Sequence, residues 1–240
     1  MIIALESKKL KKTGFIAAFL GGGILAAMIP IMNMAFRSEM YVGLGGSPLS
    51  ILFDANWQMI SMLNVLLVIS GACIMYHTEF ADNAIQKMRT LPLKESRMFL
   101  GKAILLSGMC IIILAIEAAG LGFCSLHWFT GHGELAVDML QNFGYMLVMI
   151  LPTVVFSLLI ASACKNMWVS LGTGVICVFI ATMLPMDNFV CSLFPFALPF
   201  HTFEAASAER AVQYICAAAA EIVVGAGAEL VFLKVRRSFE

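Results

Sequence analysis

Six long runs of mainly apolar residues dominate this sequence, and they restrict its fold more than any other feature. A helix needs about 20 such residues to cross the hydrocarbon core of a bilayer. The runs extend over residues 14–34, 59–76, 99–123, 139–163, 167–186 and 212–235. The chain is 61% hydrophobic and 12% charged, whereas soluble domains are about 25% charged. The sequence therefore predicts an all-α polytopic membrane protein with six transmembrane helices and one domain, residues 1–240.

Lysine and arginine are distributed unequally between the two sets of connections. Only two of the 15 basic residues, Arg37 and Arg210, lie in the first-to-second, third-to-fourth and fifth-to-sixth connections. The others flank the N-terminus, the second-to-third connection, the fourth-to-fifth connection and the C-terminus. Basic residues concentrate on the cytoplasmic side of membrane proteins, so this pattern predicts that both termini are cytoplasmic. The net charge is zero, which gives no reason to expect nucleic acid as a partner.

The N-terminal segment 1–13 has the composition of an amphipathic lead-in helix. Its apolar residues can enter the membrane interface: Ile2, Ile3, Leu5 and Leu10. We expect its lysines to face anionic headgroups of the membrane lipid.

Two of the connections that contain few basic residues are too apolar for ordinary solvated loops. Residues 36–58 contain the patch 49–53, and residues 187–211 contain the run FPFALPF. Short interfacial or re-entrant outer helices explain both, provided that protein covers their backbone. Plain loops with scattered aromatic residues are the alternative.

The connection 77–98 is a long polar, basic segment with a short amphipathic pattern. Its apolar residues recur at helical spacing on one face: Phe80, Ala84, Ile85 and Met88. Pro92 ends this helix near Leu91, because proline lacks an N–H group and restricts the residue before it. Such a helix suits docking into a groove on a soluble partner. A helix lying on the lipid surface is the alternative, which Glu79 and Asp82 disfavour because anionic headgroups would repel them.

This layout resembles the permease subunits of ABC-2 type exporters, which have six spans and a cytoplasmic coupling helix between the second and third. The correspondence is most specific at Glu79, Asp82, Asn83, Ala84, Ile85, Leu91, Pro92, Arg97, Gly101 and Lys102. The resemblance implies that this loop docks a pair of ABC ATP-binding subunits. The residues implied for that contact are Glu79, Phe80, Asp82, Asn83, Ala84, Ile85, Met88, Arg89, Leu91 and Pro92.

The opening residues 6–13 are similar to those of lantibiotic-immunity permeases and bacitracin-type resistance exporters. That similarity implies a bacterial plasma-membrane protein that removes an amphipathic peptide from the membrane. Export of a lipid or a small hydrophobic drug is the alternative. The outer connections are net acidic, which favours a cationic peptide: Glu39, Asp54, Glu134, Asp138, Asp187, Glu204 and Glu209.

The chain has no nucleotide-binding P-loop of its own. That motif, GxxxxGK[ST], aligns its last glycine and its lysine with Gly101 and Lys102. Ser96 stands where it needs its first glycine, and Ala103 stands where it needs serine or threonine. We therefore expect no cofactor on this chain and no enzymatic activity, with ATP and Mg²⁺ bound by the partner subunits. More distant alternatives are an intramembrane enzyme and a membrane assembly protein that transports nothing.

Small residues recur every four positions along the first run: Gly14, Ala18, Gly22 and Ala26. This spacing lets two helix backbones approach closely, which suits pairing with a second permease, either the same chain or a paralogue. Packing within one subunit explains the pattern equally well.

Three carboxylates lie inside the apolar runs. Glu117 and Glu221 could line a path for a cationic substrate, or they could lock helices together through hydrogen bonds. Glu229 lies near the basic C-terminal residues and could pair with them.

The remaining metal-binding and disulfide-forming residue types give little indication of a site. His127, His132, Glu134 and Asp138 lie close together in sequence, but nothing constrains their geometry, so we predict no metal site. Cys124 and Cys191 both lie toward the outer side, where a disulfide between them is an open alternative.

Overall fold

The computed structural model describes residues 2–11, 13–80, 95–129, 135–185, 188–204 and 206–239, with the side chains of 2–5, 95 and 236–239 left out. Within these ranges all regular secondary structure is helical. The helices are α1 (Ile2–Leu10), α2 (Phe15–Val42), α3 (Pro48–Phe80), α4 (Glu95–Trp128), α5 (Leu135–Ala163), α6 (Met167–Met183), α7 (Phe189–Ser192), a 3₁₀ turn (Leu198–Phe200) and α8 (Ala208–Phe239).

Among the described helices, α2, α3, α4, α5 and α8 are long and apolar enough to cross a membrane. The prediction of an all-α, multi-pass membrane protein is therefore confirmed. The α6 helix is shorter, with 17 residues, and it rises about 25 Å at 1.5 Å per residue. A hydrocarbon core is about 30 Å thick. The count of six spans depends on α6 and stays a prediction.

The interior of the bundle is formed mainly by α3 and α5, whereas α8 is the most exposed of the long helices. The α3 helix contacts α2, α4, α5 and α6. Small residues bring the α2 and α4 backbones together: a methyl group added at Gly120 would lie 3.0 Å from the carbonyl oxygen of Ala27. Close packing of this kind stabilises membrane helices, since lipid tails offer no hydrophobic gain.

A break at Gly14 separates α1 from α2. Gly14 has φ 74°, a left-handed conformation that glycine adopts without steric cost. The hydroxyl of Thr13 donates to the carbonyl oxygen of Leu10 at 2.8 Å, which satisfies a backbone acceptor at the end of α1. Gly14 therefore precedes the first long helix, and α1 is free to turn back onto the bundle.

The expectation of a separate short helix around residues 49–53 is wrong. These residues form the first turns of the continuous helix α3. Leu49 and Phe53 are buried in one apolar cluster that includes Tyr41 of α2 and Trp128 of α4. Tyr41 and Trp128 lie in turns by which α2 and α4 run beyond their predicted ends.

The segment 188–204 folds back onto α3 and α5 through its backbone carbonyls. Pro199 accepts hydrogen bonds from Trp57 Nε1 at 3.0 Å and from Ser61 Oγ at 2.8 Å. Pro195 accepts from Thr153 Oγ1 at 2.6 Å. These bonds satisfy carbonyl groups in an irregular apolar stretch, and its location as an outer re-entrant segment stays a prediction.

Candidate coupling site

Four charged side chains meet where α1 packs against the ends of α3 and α4 that flank residues 81–94. Glu6 and Lys9 come from α1, Glu79 from the last turn of α3, and Lys102 from near the start of α4. We call this group the charged ring.

The charged ring is closed, because each of its members contacts two groups of opposite sign. Lys9 Nζ donates to Glu6 Oε1 at 2.8 Å and to Glu79 Oε1 at 3.1 Å. Lys102 Nζ donates to Glu6 Oε2 at 3.0 Å and also to Glu79 Oε1. The two acids and two bases balance, so the ring carries no net charge.

Three of the four members of the charged ring are removed from solvent, and Lys9 is partly exposed. Lys102 is 1% exposed, and Glu6 and Glu79 are each 4% exposed. Burying a charge is very unfavourable unless it is paired and hydrogen-bonded. The ring therefore holds α1, α3 and α4 in one arrangement, because separating any of them would leave an unpaired charge.

Lys9 lies at the edge of the ring, outside the long helices. Burial alone would lower the pKa of Lys9, but hydrogen bonds and charge from Glu6 and Glu79 outweigh it, and the pKa is raised. A lysine with a raised pKa is fully charged at neutral pH. Its contribution to stability is present below the unfolded pKa and is lost only as the pH rises through the folded value.

Polar contacts extend from the charged ring toward α5 and α8. Lys102 Nζ lies 5.2 Å from the centre of the Tyr76 ring, within the range of a cation–π contact. Tyr76 is also within electrostatic reach of Glu229 in α8. Glu229 is buried and accepts a hydrogen bond from Ser162 of α5 at 2.8 Å. This hydrogen bond joins Glu229 to α5, and its predicted pairing with the basic C-terminal residues stays a prediction, because the side chains of 236–239 lie outside the described ones.

Only two of the predicted coupling residues fall in the described part of the chain. Glu79 points into the bundle as a member of the charged ring, and Phe80 stacks on Tyr76 with ring centres 6.1 Å apart. The others lie outside the described residues: Asp82, Asn83, Ala84, Ile85, Met88, Arg89, Leu91 and Pro92. Their docking role stays a prediction.

The sequence reasoning missed Glu6 and Lys9 as members of this site. Lys8 and Lys11 are exposed, as expected for an interfacial helix, but Lys9 pairs inside the protein. The sequence signal that could have identified them is a single acid, Glu6, in a basic segment, with Lys9 three residues later on the same helical face. Its partners could not be identified, because they lie 70 to 96 residues further along the chain.

The predicted substrate-path carboxylates occupy different environments. Glu117 has no solvent exposure, and its Oε2 accepts a hydrogen bond from Asn64 Nδ2 at 3.1 Å. Glu221 is half-buried in α8, and its Oε2 atom is buried without a hydrogen-bond partner. No described hydrogen bond joins the two carboxylates, and their role as a path stays a prediction.

The small-residue stripe is divided between the outside and the inside of the bundle. Gly14 and Ala18 are exposed, whereas Ala26 is buried. A side chain added at Gly22 would collide with Leu67 of α3. Gly22 and Ala26 therefore pack within the chain, and Gly14 and Ala18 are exposed to a partner.

Cysteine and histidine form no cluster in the described part of the chain. Cys124 and Cys191 are both free thiols. No three described residues gather as potential metal ligands, and His132 and Glu134 lie outside the described residues. His127 stacks on Phe123 with ring centres 5.5 Å apart.

Comparison with protein families gives a match over most of the chain. Residues 2–181 match a family model described as ABC-2 family transporter protein. The match extends from α1 into α6 and includes every member of the charged ring. No curated protein and no solved structure matches the chain.

Proposed function

The chain belongs to the ABC-2 transporter family, and on that premise we propose that it is the permease subunit of an ATP-driven exporter in a bacterial plasma membrane. Permeases of this family generally work with a separate ABC ATP-binding subunit. ATP and Mg²⁺ would bind to a pair of those subunits, and this chain would form the membrane part of the transporter.

The observation that carries this proposal is the charged ring at the base of the loop 81–94. The loop leaves α3 just after Glu79 and re-enters α4 shortly before Lys102, and α1 joins those two residues through Glu6 and Lys9. A force applied to the loop by a closing ATPase pair would move the three helices together. A rigid connection of this kind suits the transmission of domain motion into the membrane.

The assembly that we propose contains two permeases, either two copies of this chain or one copy and a paralogue. The exposed half of the small-residue stripe, Gly14 and Ala18, offers one surface for that contact. In this arrangement α6 crosses the membrane as the fifth of six spans, and both termini are cytoplasmic.

The substrate that we propose is a cationic amphipathic peptide such as a lantibiotic, whose removal from the membrane gives immunity or resistance. Exposed acids lie near the ends of the long helices opposite the charged ring: Glu39, Asp54, Glu204 and Glu209. Opposite charge attracts a cationic peptide to that end and suppresses wrong partners.

Copurification tests the permease assignment. The full chain would be expressed with the ATP-binding subunit encoded beside it, and retention of that subunit on the tagged permease would be measured. We expect the triple variant D82A/I85A/M88A to lose retention and the control D54A, near the opposite end, to keep it. Undiminished retention by the triple variant would exclude this docking face.

Protection assays test the substrate. Cells carrying the complete transporter would be challenged with a cationic peptide, a neutral peptide of similar hydrophobicity, and a small hydrophobic drug. We expect strong protection against the cationic peptide alone. Equal protection against both peptides would contradict the role of the acidic end, and protection against only the drug would favour the alternative substrate class.

A further inference from the structure

A buried polar pair joins the middle of α3 to α4, at a distance from the charged ring. Asn64 is 2% exposed and Glu117 is fully buried. Asn64 Nδ2 donates to Glu117 Oε2 at 3.1 Å. The other oxygen of each side chain, Asn64 Oδ1 and Glu117 Oε1, is buried and has no hydrogen-bond partner.

The two unpartnered atoms are both acceptors if Glu117 is ionised. An amide oxygen accepts hydrogen bonds and cannot donate, and the same holds for both oxygens of a carboxylate. Buried acceptors without donors are unfavourable, and native proteins contain few of them. A proton on Glu117 Oε1 would turn that atom into a donor, for which Asn64 Oδ1 is a buried acceptor without a partner.

The surroundings of Glu117 supply no compensating charge in the described part of the chain. Among those residues, no basic side chain forms an ion pair with Glu117. Cys110, on α4 itself, is a titratable group within its electrostatic reach. Leu114 and Leu121, which flank Glu117 on α4, belong to an apolar cluster with Ala26 of α2 and Met146 of α5. A lone carboxylate at such depth is strongly unfavourable in a membrane.

We propose that Asn64 and Glu117 form a proton-binding site, in which Glu117 is a neutral acid that donates from Oε1 to Asn64 Oδ1 and accepts at Oε2 from Asn64 Nδ2. The ligand is a proton and not a metal ion, because hard cations take about six oxygen ligands and this site offers two unpartnered oxygens. This inference does not depend on the proposed transport function.

The proton-bearing pair also gives α3 and α4 a second point of attachment. Glu79 and Lys102 join these helices in the charged ring. Asn64 lies 15 residues before Glu79 on α3, and Glu117 lies 15 residues after Lys102 on α4. At 1.5 Å per residue the two attachments are roughly 22 Å apart on both helices. Two attachments at the same spacing on both helices make α3 and α4 a single rigid body. Loss of the proton would weaken the attachment between Asn64 and Glu117.

Infrared spectroscopy of the full chain in lipid nanodiscs at neutral pH tests the protonation state. We expect the wild-type-minus-E117Q difference spectrum to contain the carbonyl band of a protonated carboxylic acid. N64L should shift that band by removing its partner, whereas the control E221Q should leave it unchanged. A difference spectrum with only carboxylate bands would overturn the proposal.

Thermal unfolding of the same samples provides a second test. Glutamine at residue 117 can form both hydrogen bonds with Asn64, so E117Q should unfold near the wild-type temperature. N64L should unfold roughly 2–10 °C lower, because it leaves Glu117 without either bond. Failure of E117Q to fold, or a loss as large as that of N64L, would contradict the acid–amide pair. Stabilisation of the wild type by sodium or potassium, absent in E117Q, would show that the site binds a metal cation and would overturn the proposal that its ligand is a proton.

Discussion

Two regions of the bundle are held together by different chemistry. At the end that flanks residues 81–94, four charged side chains join α1, α3 and α4. In the second region, where the segment 188–204 packs on α3 and α5, neutral donors bind the carbonyl oxygens of Pro195 and Pro199; we call it the neutral region. A charged ring fails as a unit, because the loss of one member leaves another unpaired, whereas neutral hydrogen bonds contribute separately. The charged region is therefore suited to transmit movement, and the neutral region to hold a segment in place.

The largest effect is expected from Lys102→Met, which would break the charged ring. It leaves Glu6 and Glu79 buried with Lys9 as their described counterion, and breaking a buried ion pair typically costs about 3–5 kcal/mol. Unfolding of the purified protein in nanodiscs would measure the loss. Lys8→Ala is the matched control, since Lys8 is an exposed lysine of α1, and it should change stability by less than about 0.5 kcal/mol. Similar stability of both variants would refute the ring as a structural unit.

The second prediction asks whether the ring acts as a unit. Adding Glu79→Gln to Lys102→Met leaves Glu6 and Lys9 as a balanced pair. The double variant should therefore be more stable than the sum of the two single changes implies. For groups in direct contact this coupling is about 0.5–3 kcal/mol. Strictly additive losses in the double-mutant cycle would show that the ion pairs are independent.

A smaller effect is expected in the neutral region. Ser61→Ala removes one of the two donors to the Pro199 carbonyl oxygen and leaves Trp57 bound to it. The loss should be about 1 kcal/mol, well below that of Lys102→Met. Thr153→Val should show a similar loss, because Pro195 then loses the donor described for it. A loss at Ser61 as large as that at Lys102 would remove the distinction between the two regions.

The smallest effect is expected from pH in the neutral region. Burial lowers the pKa of His201, which stacks on Tyr214 with ring centres 4.5 Å apart. Below the unfolded pKa the unfolded chain takes up a proton that folded His201 resists, so stability should fall as the pH drops below about 6.5. Unfolding of wild type and His201→Phe across this range would measure the effect. The wild type should lose stability at acid pH relative to the variant; parallel curves would exclude a contribution from His201.

Prediction from sequence succeeded where the controlling property is local. The length of an apolar run decides whether a helix can cross a bilayer, and α2, α3, α4, α5 and α8 all qualify on that property. Prediction is wrong at residues 49–53, which it assigns to a separate element although they belong to α3. Their apolar character indicates burial, but the residues that bury them lie on α2, α4 and α5. No pattern within the segment identifies those residues.

Composition and run length are enough to identify a membrane protein built from apolar helices with one polar, basic connection, because transfer of apolar residues into lipid depends mainly on those two properties. Helix packing sets the inward direction of Glu79 and the contact of Glu6 with Lys102 across 96 residues. It also brings Asn64 and Glu117 together in the interior. Buried polar groups must find partners, and which partners they find depends on how the helices pack.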